Sequence, residues 1–375
     1  VQSLAVNGYV SGDVLTALRG VQGRREWQFR YELMSSLNVK VSDLTNVLSG
    51  SVAHDYEAEI KRTGKVTVKD TGTINFMSQR IKPWARILMP NGGWAEWPLG
   101  VFLLTTPSRK IDISGANTRD IDAYDATIVL QEDTVTSRYY VSAGYVVTTA
   151  INEILTATVG INAINIVTSA LTTPKAMDWD PGTSKFQIVN ALLDLINYNS
   201  IWFDGNGTAQ VTPYVDPDST SSMFDYLDND VSLILPDASE TLDLYKVPNR
   251  FVGIVSNPDV GQPVLTSTYT NTSVTSPIST VNRGRTITDV KNDEVAVNQY
   301  VLDAKTQARA VAAASIYDVV EWQSGLMPFH ENGDVYNFTY TKAALSGKYK
   351  EVSWGFDLVQ GASMTHKCRK TVTLS

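Results

Sequence analysis

From residue 24 to about 125, apolar and polar side chains alternate or bunch in short runs, the signature of strands. In WQFRYEL (27–33), Trp27, Phe29, Tyr31 and Leu33 fall on one face and Gln28, Arg30 and Glu32 on the other. HDYEAEIK (54–61) and KVTVKD (65–70) alternate as well, which predicts that Asp55, Glu57 and Glu59 line a wet strand face. WARILMP (84–90) and PLGVFLL (98–104) are dense enough to be buried on both faces. Asn91-Gly92-Gly93, between them, tolerates positive φ and predicts a hairpin loop.

Between 126 and 204 the period becomes helical. Val147, Ile151, Ile154, Leu155 and Val159 make one stripe over 144–160, and Phe186, Val189, Leu192, Leu193 and Ile196 make another over 183–199. Thr183 or Ser184 is the expected N-cap, just after Pro181-Gly182. The second helix runs into two strand-like pieces joined by Asp204-Gly205-Asn206-Gly207 (200–215). Beyond the Asp/Ser-rich 216–230 come a strand at 250–256 and a Thr/Ser-rich segment, 264–280, that reads as an extended arm or an exposed edge. A long helix is predicted over 293–320, with Val297, Val301, Ala304, Ala308, Val311 and Ser315 as a narrow stripe. Strands return at 334–340, 348–359 and 370–375.

With 375 residues the chain exceeds what one core usually fills, so two to four subdomains are expected. The abundance of Ser, Thr, Val, Asn and Tyr favours β-structure. No secretory signal is visible, and the most apolar long window, 141–160, carries Glu153 and many threonines. A soluble protein without stable membrane insertion is expected. Cys368 is the only cysteine, which rules out an intrachain disulfide and fits assembly in a reducing cytoplasm. A net charge of -8 argues against binding nucleic acid by phosphate neutralisation.

Candidate chemistry is sparse. His54, His330 and His366 are scattered, and HExxH, G-x-S-x-G and P-loop patterns do not occur. A glycosidase needs only two carboxylates, and Asp178/Asp180 around Trp179 is the most suggestive pair. The same residues also read as a turn into the following helix. Asp204 opens a faint calcium-loop pattern that lacks the glycine at position six and the terminal glutamate, so a turn is expected there. No catalytic residue, metal or cofactor is expected.

Taken in order, three blocks carry a resemblance: 24–64, which runs from RREWQFR to KRTG; WARILMPNGGWAEWPLGVFLLTTP (84–107); and TSKFQIVNALLDLINYNSIWFDGNG (183–207). PNRFVGIVSN (248–257), SPISTVNRGRTI (276–287), the long helix and MPFHENGDVYNF (327–338) extend it. The whole resembles the baseplate-hub or tail-tip (minor tail) proteins of tailed bacteriophages. It is similar to the hub that carries the central spike in contractile phages and to the N-terminal hub region of siphophage tail-associated proteins.

The resemblance implies a mainly β fold with an α/β insertion, made of two related β-barrel hub domains plus a helix-containing domain. The expected layout is an N-terminal arm (1–20), a first barrel (21–125 and 205–237), the helix-containing domain (126–204), a second barrel (238–340) and C-terminal strands (341–375). It implies a non-enzymatic virion protein at the tail tip, a homotrimer whose six barrels adapt a sixfold tube to a threefold tip. Expected partners are the distal tail protein or tail tube above, tip, spike or fibre proteins below, and the tape-measure protein. DNA would pass through the ring without specific binding, past an acidic or neutral wall.

The expected structural signature is Trp94, Trp97, Pro98, Gly100 and Phe102, then Asp204 and Gly207, then Pro328, His330, Gly333 and Asp334. In this reading Trp94 and Trp97 pack a barrel end, Gly100 permits a bend, and His330 is a turn residue without catalytic duty. The rivals are a carbohydrate-processing tail enzyme built on the acids beside Trp179, and a receptor-binding adhesion module.

Overall fold

The period-two segments become strands and the segments of period near 3.6 become helices, in a computed structural model that describes all residues except 22, 24, 106, 112–116, 243, 256–263, 293, 317 and 372–375. Parts of the segments expected to be strands at 250–256 and 370–375, the resemblance segment to 257, Thr106 and Arg24 therefore lie outside the described residues. Strand makes up 39% and helix 17%, so the fold is mainly β.

One fifteen-stranded sheet carries both barrel halves. Its main path runs Ser239–Leu242, Asp318–Gly325, Ser363–Lys370, Leu345–Asp357, Val47–Asp55, Arg62–Lys69, Asn117–Tyr124, Phe102–Leu104, Arg80–Leu88, Trp27–Met34, Lys40–Asp43. The halves join where Leu345–Asp357 pairs antiparallel with Val47–Asp55, from Ser353↔Asp55 to Asp357↔Ser51. Trp354 lies opposite His54 in that ladder, and their rings stack at 5.6 Å. A single apolar core runs through both halves, from Ile81, Ile87, Trp97 and Phe102 to Tyr226, Trp322, Tyr336 and Phe338.

The hairpin expected at Asn91-Gly92-Gly93 is present: Arg80–Leu88 pairs with Trp94–Pro98, and Gly92 takes φ +84°. The region 54–61 differs from expectation, because the strand stops at Asp55. Lys61 Nζ donates to the carbonyls of Tyr56 (2.6 Å) and Ala58 (3.3 Å), and Asp55 accepts from Glu57 N (2.8 Å). A lysine folded back on its own loop supplies the hydrogen bonds that a ladder would otherwise provide.

The insertion packs the helices Val147–Thr156 and Lys185–Leu195 around Leu130, Ile151, Leu155, Val189 and Leu192. Ser184 is the N-cap, its side chain accepting from Gln187 N at 3.2 Å. Val159 leaves the expected stripe, because the helix ends at Thr156 and Val159 is 91% exposed. Trp202–Phe203 and Ala209–Val211 form the expected hairpin, and the second of these also pairs in parallel with Ile164–Ile166. The hairpin thus belongs with the insertion, and a boundary between 204 and 205 would cut it.

Arg250–Val255, flanked by Leu265–Thr270 and Thr288–Lys291, makes a separate small sheet, so 264–280 contributes an edge strand rather than a free arm. The long helix spans Gln299–Ile316 and a strand starts at Asp318, so the helix is shorter than 293–320. Its buried face runs through Val301, Leu302, Lys305, Thr306, Ala310 and Val311, so Val301 and Val311 of the expected stripe are buried whereas Ala304 and Ala308 are only half-buried. Thr306 reaches the bare Cα face of Gly253, where an added Cβ would sit 2.7 Å from its hydroxyl. That close approach, together with the buried Glu294 bound by Arg309 (2.9 Å), widens the buried face beyond the expected stripe and leaves Ala304 and Ala308 at its edge. The strands Leu345–Asp357 and Ser363–Lys370 pair with Val335–Tyr340 and Asp318–Gly325, so the C-terminal segment completes the second half.

Candidate functional site at the junction

Arg62 opens the strand Arg62–Lys69 with its side chain turned inward and fully buried. Its guanidinium donates to Leu99 O (2.9 Å) and makes a short ion pair with Glu331, while lying over the Trp354 ring at 5.2 Å. Arg62 N donates to Asp125 Oδ2 at 2.9 Å. The other Glu331 oxygen accepts from Gly205 N at 2.9 Å. One carboxylate from the second half therefore ties together the first half, through Arg62, and the insertion, through Gly205. Burial pushes Glu331 up to about 7, against the lowering pull of Arg62 and Gly205.

Gly100 has φ +140°, and a Cβ there would lie 2.7 Å from the Phe102 ring and 2.8 Å from Arg62 Cδ. This is the bend that the strand needs to clear the arginine. Gly207 (φ +78°) presses on Val101, and a Cβ on Gly205 would meet Pro98 O at 2.5 Å. Asp204 is used within its loop: Oδ1 accepts from Asn206 N and Thr208 N (both 2.9 Å) and Oδ2 from Gln210 Nε2 (2.8 Å).

Beyond Glu331 the core of the second half is polar. His330, Asp334, Glu351 and His366 are each at most 3% exposed. His366 Nδ1 lies 3.2 Å from Glu351 Oε2, and its Nε2 lies 2.8 Å from Ser324 Oγ. Ser324 Oγ also lies 2.7 Å from Gly325 O, and with its hydroxyl proton directed there His366 Nε2 donates to Ser324. His366 Nδ1 is then a bare lone pair facing a carboxylate, an arrangement that requires a cation or a proton between them. His330 Nε2 meets Tyr226 Oη at 2.6 Å. Its Nδ1 stands 3.6 Å from Glu351 Oε2 and 3.8 Å from Asp334 Oδ2, too far for a hydrogen bond, and has no partner. Burial lowers His330 to about 4 and His366 to about 3, and raises Glu351 to about 8.

Of the signature residues, Pro98, Gly100, Phe102, Asp204, Gly207, Pro328, His330, Gly333 and Asp334 converge on or beside this junction. Pro98 O accepts from Gln2 Nε2 (2.9 Å), Pro328 is buried, Gly333 turns with φ +66°, and Asp334 accepts from Glu331 N (2.9 Å). Trp97 is fully buried with its indole donating to Ser3 O (2.9 Å), whereas Trp94 is half-buried with the Arg86 guanidinium 4.6 Å from its ring centre. A spacing of three along a strand places the two tryptophans on opposite faces, so they do not pack one end together. His330 lies in the connection between the turns at 328–329 and 332–333, and its side chain is buried in the core.

Sequence reading missed Arg62, Gly205, Glu331, Glu351 and His366 as a group. The available signals were the glycines and prolines of the turns at 98–100, 204–207 and 328–333; that these turns meet depends on non-local pairing. The acids of the carbohydrate reading are dispersed: Asp178 pairs with Arg138, and Trp179 packs on Tyr139 across a two-stranded ladder. Glu57 is bound by Arg369 (2.7 and 2.9 Å) and Glu59 by Gln131 (2.8 Å).

The same architecture occurs in known tail proteins. A tail protein from Neisseria meningitidis superposes with a TM-score of 0.63 at 11% identity, over 92% of this chain and 97% of the other. The 43 kDa tail protein of prophage MuSo2 from Shewanella oneidensis gives 0.62 at 10% identity, over 92% and 98%. A Francisella PdpA–VgrG complex gives 0.51 at 10% identity, over 92% of this chain and 58% of that one. The chain therefore has the fold of phage and prophage tail proteins and of VgrG-type hub proteins. No protein-family model matches it, and no curated protein matches it by sequence. Among the described residues, no helix is long and apolar enough to cross a membrane.

Proposed function

We propose that this chain is a non-enzymatic structural component of a tail tip, a hub that assembles as a homotrimer. Its six barrel halves would match a sixfold tube to a threefold tip and surround the path of DNA. The observation that carries this reading is end-to-end coverage: one fold, inserted helices included, spans nearly the full length of two tail proteins. Further support comes from the ends of the main sheet. Lys40–Asp43 and Ser239–Leu242 are its terminal strands on the main path, and all eight residues are exposed. Val39, Val41 and Leu242 stand out in water beside them. Two unlike open edges on one chain suit a head-to-tail contact, which closes into a ring when the rotation allows.

A net charge of -8 suits a wall past which a polyanion slides, since Asp and Glu outnumber Lys and Arg by 39 to 31 and oppose affinity gained by counterion release. In this reading a tail tube or distal tail protein contacts one face, and spike, fibre or tape-measure proteins contact the other, in a virion assembled in the host cytoplasm. The test is electron microscopy of particles carrying a tagged chain, with copy number from quantitative mass spectrometry. Three copies confined to the distal end of the tail are expected; label along the tube, or six or more copies, overturns the reading.

A further inference from the structure

We propose that His330, Glu351 and His366, with Asp334 as a fourth ligand, form a binding site for one divalent transition-metal ion of the zinc type in the core of the second barrel half. The three leading ligand atoms lie within 4.8 Å of one another. A tetrahedral ion with bonds of about 2.0–2.1 Å separates its ligand atoms by roughly 3.3 Å. The observed separations of 3.2, 3.6 and 3.8 Å along the His366–Glu351–His330–Asp334 chain bracket that value. They are too long, apart from the first, to be hydrogen bonds. The three leading atoms therefore have the spacing of ligands around a common centre, and Asp334, outside that group, would close in to complete the fourth position.

The orientation of the imidazoles gives independent support. Each turns Nδ1 toward the carboxylates and has Nε2 against a hydroxyl, Tyr226 Oη for His330 and Ser324 Oγ for His366. Metal-bound histidines are held this way, with the far ring nitrogen fixed by an outer partner. With the Ser324 proton on Gly325 O, the His366 tautomer leaves Nδ1 free to ligate. His330 Nδ1 is a buried nitrogen with no partner, aimed into the same space.

Charge points the same way. Among the described residues, no lysine or arginine forms an ion pair with Glu351. Asp334 is already neutralised by the Val1 ammonium (2.6 Å) and accepts from Glu331 N (2.9 Å), so the charge left for an ion to balance is that of Glu351. Both histidines are held neutral by burial, the state that ligates. An open groove of about 440 Å³ between Ser239, Gln323, Ser353 and Lys367 ends against His366 and offers a route inward.

The ligands come from three pieces of chain, the 326–334 connection and the strands Leu345–Asp357 and Ser363–Lys370. An ion would pin that connection, and with it Glu331, to the sheet. The site would thus brace the junction from behind.

The test uses the full-length chain, stripped with a chelator in denaturant and refolded with Co²⁺ or Zn²⁺ alone, so that slow entry into a folded core does not mask binding. One ion per chain is expected, with the visible absorption of four-coordinate Co²⁺ and a raised melting temperature. Glu351→Gln, which removes a buried charge without changing shape, should fold without metal and bind at least about 100-fold more weakly. Ser324→Ala, which touches only the outer partner of His366, should weaken binding about 10–100-fold. Refolded wild-type protein with native circular dichroism but no stoichiometric ion overturns the proposal. So does Glu351→Gln retaining the wild-type ion and spectrum, which would assign the metal to a surface site. Neither result bears on the tail-tip reading, which rests on copy number and location.

Discussion

Arg62 and Glu331, 269 residues apart in the chain, form a fully buried ion pair at the point where both barrel halves and the inserted domain touch. Removing one partner strands the other charge in the core. Arg62→Met and Glu331→Gln should each destabilise by about 3–5 kcal/mol, measured by urea unfolding at pH 8, above the Glu331 value of about 7, where the pair is charged. The double variant should cost less than the sum, with a coupling of about 1–3 kcal/mol. Additive losses would show that the two side chains act independently.

Stability of the metal-free chain should peak in mildly acid solution. Glu331 and Glu351 keep their protons to about 7 and 8 when folded, whereas unfolded glutamates release theirs near 4.5. Their contribution is complete below 4.5 and is lost as pH rises through 7 to 8. His330 and His366 run the other way: held to about 4 and 3 against an ordinary 6.5, they contribute fully above 6.5 and less as pH falls. Between 4.5 and 6.5 the two pairs offset each other, and His54, lowered well below 6.5 chiefly by burial, tilts the plateau upward with pH. Urea midpoints taken with a chelator should be highest near pH 6. They should fall on both sides, by about 2 kcal/mol between pH 6 and 8. Glu351→Gln should flatten the alkaline limb.

Gly205→Ala should wedge the 204–207 turn away from Pro98 and Glu331, and Gly100→Ala should collide with Phe102 and Arg62. Each should cost on the order of 3 kcal/mol. Gly12→Ala, in a helix with nothing within 4 Å of the new methyl group, should be neutral or gain up to about 1 kcal/mol. Thermal melts of the three variants separate the contact argument from a general intolerance of alanine.

Charging one sheet edge should block assembly without unfolding the chain. Val39→Lys with Val41→Lys, or Leu242→Lys alone, adds charge at already exposed positions and should shift stability by less than about 0.5 kcal/mol. Tails made with either variant should lack the distal ring. Normal tails would remove the edge-to-edge contact from the proposal.

Asp178→Asn and Asp180→Asn should leave both assembly and host-wall polysaccharide unaffected, because Asp178 is engaged by Arg138 on the surface of a short ladder. Release of reducing sugar by the wild-type chain, and its loss in these variants, would instead support the carbohydrate reading.

Element type was legible wherever local period or turn chemistry decides it: the Gly92 hairpin, the Ser184 cap and the 204–207 turn follow from residues within a few positions. The strand expected at 54–61 failed because Lys61 caps its own loop, a side-chain event that alternation does not report. The long helix kept its existence and the valines of its expected face, Val301 and Val311, but Thr306 at Gly253 and the charges around Glu294 leave its alanines at the edge. The convergence on Arg62 and Glu331 was legible only in fragments. Glycines and prolines at 98–100, 204–207 and 328–333 marked the three turns, but nothing local says that they meet. Glu351 and His366 lie in alternating strands, where a buried acid and a buried histidine look like any inward position.

The ladder between Val47–Asp55 and Leu345–Asp357 has a mechanical corollary. Backbone hydrogen bonds cross from one half to the other in unbroken register, so the halves cannot swing apart without tearing a sheet. If copies of the chain encircle a conduit, its aperture must widen by sliding at the seams between molecules, with each molecule moving as one stiff stave.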